Sequence, residues 1–178
     1  MATPTFNAVG FCAHYSESGD RAFDYALELT RRHGIQLNVF HFLSDPWDPT
    51  DEAPTGLSHD EMKRLVVDRE RELRMYYDSR AGDYLEVGFR LCENNEWLEL
   101  HRCLLVHEFQ ILVLGNPGPG TIFAGKPIEE FAYGFVAPVV LVGPPGEEQF
   151  LLNSQAAMIN DVLGIPEGAW TKIEPVTT

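Results

Sequence analysis

One stretch constrains the chain more than any other. Residues 111–142 read ILVLGNPGPGTIFAGKPIEEFAYGFVAPVVLV, two short apolar runs on either side of a glycine-rich segment. The runs at 111–114 and 139–142 do not alternate with polar residues, which is the pattern of strands covered on both faces. Gly115, Gly118, Gly120 and Gly125 lie between them. Glycine lets a backbone turn sharply and approach a ligand closely. Where such a loop feeds a helix N-terminus, free amides face an anion. Pro127 suits the first turn of that helix, Glu129 and Glu130 follow it, and Gly134 suits its end. Taken alone, the glycines fit a plain connector at least as well as a ligand loop.

The residues before this stretch alternate between strand and helix signals. The run at 7–13 is a first strand, and residues 16–20 supply the turn and the helix cap. Phe23, Ala26, Leu27 and Thr30 have helical spacing, and Gly34 after Arg31, Arg32 and His33 marks the stop. A second strand covers 35–43, followed by a loop rich in Pro and Asp at 45–56. Ser58 and Glu61 have the form of a capping box. Behind them Met62, Leu65, Val66, Arg69, Leu73 and Tyr76 trace a helical stripe to about Arg80. Asp68, Arg69, Glu70, Arg71 and Glu72 read as a solvated helix face with local ion pairs. A third strand is expected at 84–91, and a helix at 96–108 capped by Asn94 or Asn95.

Strands alternating with helices imply right-handed crossovers and a parallel sheet with helices on both faces. Ligands of such sheets sit beyond the strand C-termini, at the topological switch point. The loops after Ala13, Leu43 and Leu114 are therefore expected at one edge. Residues 1–143 form this α/β domain in the sequence reading, and 144–178 form an extension. In the extension, 144–148 (PPGEE) reads as a linker, 154–163 as a short helix, and 171–178 as a surface segment.

Composition narrows the functional classes. A formal net charge of -14 repels a phosphate backbone, so nucleic acid is not an expected partner. No window approaches eighteen consecutive apolar residues, and the N-terminal MATPTFN has no charged region followed by an apolar one. Neither a membrane partner nor a secretory leader is expected. Cys12, Cys92 and Cys103 are odd in number and far apart, which suits buried thiols in a reducing, cytoplasmic setting.

Catalytic motifs are weak. Residues 120–127 nearly spell a phosphate-binding P-loop, but Pro127 stands where the magnesium-binding hydroxyl belongs. His14, His33, His41, His59, His101 and His107 have no close ligand spacing with cysteines. There is no Gly-x-Ser-x-Gly elbow; Cys12 reads as a small buried hydrophobe and Cys103 as a surface or semi-buried thiol on its helix. No catalytic residue and no metal ligand is named.

The order of elements together with the glycine loop resembles the universal stress protein family, over residues 7–143. His41, Phe42, Leu43, Ser44, Asp45 and Pro46 look like the family's second strand running into Asp-Pro. Residues 111–115 look like its strand leading into the loop, and 137–142 like its proline-led closing strand. The resemblance implies a five-stranded parallel sheet in the order 3-2-1-4-5 and a homodimer. It implies a stress-response module that acts by binding, more than by turnover. The runner-up is a slow ATP-hydrolysing enzyme of the related adenine-nucleotide superfamily.

One branch of the family binds ATP through a loop spelled Gly, two residues, Gly, nine residues, Gly, Ser/Thr. Gly115 and Gly118 match its first half, Gly120 falls on a further family glycine, and Gly125 matches the last. The loop is three residues short, Lys126 replaces the hydroxyl residue, and His14 stands where that branch has Asp. The implied ligand is an adenine nucleotide such as ATP or AMP, or a small phosphate. Gly115, Gly118, Gly120, Gly125 and Lys126 would hold phosphate, and Ala13, His14 and Phe42 would receive the base. Val139, Val140, Leu141 and Val142 are expected as an edge strand, open to a second copy unless the extension caps that edge or swaps between subunits.

Overall fold

A computed structural model describes residues 6–93, 95–143 and 150–175. The proposed 144–148 linker and the alternative cap Asn94 lie outside these residues. In chain order the elements are β1 (Ala8–Cys12), α1 (Glu17–His33), β2 (Gln36–Phe42), α2 (His59–Ala81), β3 (Val87–Cys92), α3 (Glu96–Leu105) and β4 (Ile111–Gly115). A small hairpin follows, β5 (Ile122–Phe123) and β6 (Lys126–Pro127), then α4 (Ile128–Gly134) and β7 (Val139–Val142). The extension adds β8 (Phe150–Leu152), α5 (Ser154–Ala157), α6 (Asn160–Leu163) and β9 (Trp170–Lys172).

Local signals in the sequence fix most of these boundaries. Ser16 caps α1 by accepting from the Gly19 amide at 3.0 Å, and Gly34 closes the helix in the left-handed conformation. Ser58 and Glu61 form the reciprocal capping box of α2. Asn95 caps α3 by accepting from the Trp97 and Leu98 amides. That helix stops at Leu105, short of the expected 108. His107 adopts φ 63°, its amide donates to the Leu104 carbonyl, and the Glu108 amide donates to the Cys103 carbonyl. This pair of bonds closes the helix as a glycine stop would.

The main sheet has the order β3-β2-β1-β4-β7-β8-β9. Its first five strands are all parallel, in the expected 3-2-1-4-5 order. The count is seven because the extension supplies two more strands. β8 runs antiparallel to β7, with Val140 opposite Leu152 and Val142 opposite Phe150, and β9 lies parallel to β8. Val139–Val142 is therefore no edge. It is paired with β4 on one side and β8 on the other, so the expected pairing with a second copy through this strand finds the position taken. The predicted single helix at 154–163 is two short ones, and part of the predicted surface segment is β9.

Buried strands alternate between the two faces, and each face has its own core. Val9, Phe11, Ile111, Val113, Val140 and Val142 face α1 and α2 with Leu73 and Tyr77. Cys12, Leu112, Leu114, Val139 and Leu141 face α3 and α4 with Leu100, Phe131 and Phe135. Burying each such side chain contributes about 1.5–3 kcal/mol. The extension is fastened by Asn153, which is fully buried. Its Nδ2 donates to the Ala132 and Ala137 carbonyls at 2.9 Å each, and its Oδ1 accepts from the Val139 and Ala156 amides at 3.0 Å each.

Candidate functional site

Two glycines decide how closely the strand ends can gather. A Cβ on Gly19 would lie 1.9 Å from the His14 carbonyl oxygen. A Cβ on Gly115 would lie 2.9 Å from the Gly19 amide nitrogen. The first turn of α1 thus crosses directly over the ends of β1 and β4. Gly115 is needed for that contact, which is a packing role.

Beyond β1 and β2 lies a cavity of about 220 Å³. The expected base-site residues Ala13, His14 and Phe42 line it, and so do Tyr15, His41, Asp45, Asp51, Arg69 and Glu72. Burial pushes the His14 imidazole below its ordinary pKa, against the opposing pull of Asp45, 3.9 Å away. His41 is lowered too, first by burial and then by the nearby Arg69 charge. Both rings are held toward the neutral form. His14 Nδ1 pairs with Ser16 Oγ at 2.7 Å, while the buried His41 Nδ1 has no partner among the described residues. Arg69 is half-buried and makes no ion pair among the described residues.

The glycine loop surrounds a different cavity of about 290 Å³. Gly118, Gly120, Thr121, Pro127, Glu129 and Glu130 line it. The loop consumes much of its own polarity. Gly118 donates its amide to Asn116 Oδ1 at 3.3 Å, and Thr121 Oγ1 donates to the Gly118 carbonyl at 2.6 Å. Ala124 and Gly125, at φ 53° and 81°, form the two-residue turn of the β5–β6 hairpin. The shortened loop is thus partly spent on a hairpin. Lys126 places its Nζ 4.7 Å from the centre of the Trp97 ring on α3. Gly115, Gly125 and Lys126 line neither cavity.

Trp47 packs against His14 of the first cavity and against Phe123 of the hairpin. Its indole stacks on His14 with ring centres 4.3 Å apart and meets Phe123 edge-on at 4.8 Å. Its Nε1 donates to the Gly115 carbonyl at 3.0 Å. Asp45 Oδ1 accepts from the Trp47 amide at 2.9 Å, which turns the chain inward after β2. The Pro46 carbonyl accepts from the Ala124 amide at 2.9 Å, joining the loop after β2 to the hairpin. The eight residues named from the sequence are therefore not brought together. The base-site set gathers at one cavity and two of the glycines reach the other.

Sequence reasoning missed Trp47, Tyr15, His41, Asp45, Asp51, Arg69 and Glu72 as site residues. Arg69 and Glu72 line the cavity, Arg69 half-buried and Glu72 still exposed as the solvated-face reading expects. The available signal was Arg69 itself, a cation inside an otherwise apolar stripe. The three thiols are buried, and burial pushes Cys92 and Cys103 up to about 12 each. Among the described residues no group of three or more His, Cys, Asp or Glu could hold a metal, and no helix is long and apolar enough to cross a membrane.

No family model matches the chain, and no curated protein matches it. Solved structures do. A protein described only as hypothetical aligns with a TM-score of 0.52 at 15% identity, over 79% of this chain and 98% of that one. A universal stress protein from Lactobacillus plantarum aligns at 0.47 and 14% identity, over 80% and 99%. A universal stress protein family member from Arabidopsis thaliana, solved with AMP bound, aligns at 0.48 and 14%, over 80% and 94%. Several structure neighbours are thus universal stress proteins, and the likeness to the hypothetical protein, at 15% identity, is one of fold alone.

Proposed function

We propose that the chain is a ligand-binding module of the universal stress protein type, acting in the cytoplasm by binding and self-association. In this reading the cavity at the mouths of β1 and β2 receives the base of an adenine nucleotide or nucleoside. The observation that carries it is the lining. A purine is a flat apolar body rimmed by ring acceptors and an exocyclic amino donor. Tyr15 and Phe42 offer rings, Arg69 offers donors, and Asp45 offers a carboxylate acceptor. Neutral His14 and His41 can each donate or accept. A concave, mainly apolar site with a few convergent polar groups is the usual form of a small-molecule pocket.

Equilibrium dialysis with labelled adenosine, AMP and ATP at millimolar levels tests the reading. Retention of at least one is expected, and retention of none rejects it. Self-association would run through the C-terminal extension, whose β9 is the outermost strand on that side. Sedimentation of the full chain checks this, and a monomer at every concentration tried removes it.

A further inference from the structure

We infer that Trp47 restricts the β1–β2 cavity to an uncharged ligand of nucleobase or nucleoside size, by filling the passage to the glycine loop. The inference rests on the base-site reading above and narrows its ligand class. In an open parallel sheet the crevice for an extended ligand opens where neighbouring strands send their connections to opposite faces. Here that place is the gap between β1 and β4, since α1 covers one face and α4 the other. Trp47 occupies it. The indole lies on His14, two residues past β1, and is hydrogen-bonded to Gly115, the last residue of β4. Trp47 is only 9% exposed, so little of it remains open to a ligand.

The far side of the indole is also unsuited to phosphate. Glu129 and Glu130 line the second cavity, which has no basic residue in its lining. Lys126 is drawn onto Trp97, and the Gly118 amide is already bonded to Asn116. A triphosphate that passed Trp47 would meet two carboxylates. The near cavity, about 220 Å³, is smaller than the roughly 300–1,000 Å³ usual for drug-sized ligands. Size, blockage and charge all favour a ligand without a phosphate tail.

The test compares adenosine with ATP in equilibrium dialysis against the wild-type chain at low and at high salt. Adenosine is expected to bind at least tenfold more tightly, and the preference is expected to persist at high salt. High salt screens the general repulsion from a net charge of -14. In Trp47→Leu the preference should narrow at least threefold, while Trp47→Phe, which keeps a ring, should stay near wild type. Circular dichroism checks the folding of each variant, and the wild-type ratio decides the question if Trp47→Leu does not fold. ATP binding as tightly as adenosine overturns the inference and leaves the base-site reading intact. So does a preference that vanishes at high salt, or one that is unchanged in folded Trp47→Leu. Retention of neither compound overturns both.

Discussion

On the β1–β2 side of Trp47, polar groups are left facing a cavity; on the glycine-loop side they are bonded to the loop itself. Arg69 makes no ion pair among the described residues and His41 Nδ1 has no partner there, and both residues line the first cavity. Across the indole, Gly118 and Thr121 satisfy their own segment, and Lys126 lies against an aromatic ring. Glycine richness and readiness for a ligand are therefore separate properties. A cluster of glycines can serve a hairpin and a tight turn, while an ordinary helix carries the cation that faces the pocket.

The sharpest way to break this contrast is to remove the divider. Trp47→Ala should cost about 3–5 kcal/mol of stability, the usual loss for truncating a buried tryptophan. Urea denaturation measures it, and a loss under about 1 kcal/mol would mean the indole is not packed as described. Next come the glycines on the two sides. Gly19→Ala should cost about 3 kcal/mol or more, because its Cβ would press on the His14 carbonyl. Gly120→Ala should cost only about 1–2 kcal/mol, from the φ of 81° alone, since nothing lies within 4 Å of its Cβ. Equal losses would erase the distinction between packing and turning.

Arg69→Met should leave stability within about 0.5 kcal/mol, as for most partly exposed substitutions. It should weaken adenosine binding about tenfold, the scale of one lost charged hydrogen bond. The smallest effect is that of pH. Burial holds the folded pKa values of His14 and His41 below the ordinary imidazole value of about 6.5. Below about pH 6.5 the unfolded chain then takes up protons that the folded chain refuses. Stability present above that pH falls as pH drops toward the depressed folded values, and then levels. The urea midpoint should be lower at pH 5.5 than at pH 7.5, and His41→Gln should flatten the difference.

The parallel five-strand core was legible because its signals are local. Residues 111–114 and 139–142 are apolar without alternation, and Ser16, Gly34, Ser58 and Glu61 mark helix ends through their own side chains or backbone. The two added strands were not legible. Phe150–Leu152 and Trp170–Lys172 are three residues each, too short for periodicity to mark, and their pairing with β7 and with each other depends on tertiary contact. Strand order alone brings Ala13, His14 and Phe42 to one cavity, so that grouping was legible. The division of the site was hidden because Trp47 sits in a loop rich in Pro and Asp, where nothing in the local pattern says that the indole turns inward.

Asn153 gives the last strands an unusual tenacity. With both amide atoms engaged twice, the tail is held by bonds that do not depend on an unbroken chain. A protease cut between β7 and β8 should leave the clipped piece riding on its parent. The nicked protein would elute as one particle in native buffer and separate into two bands only in detergent.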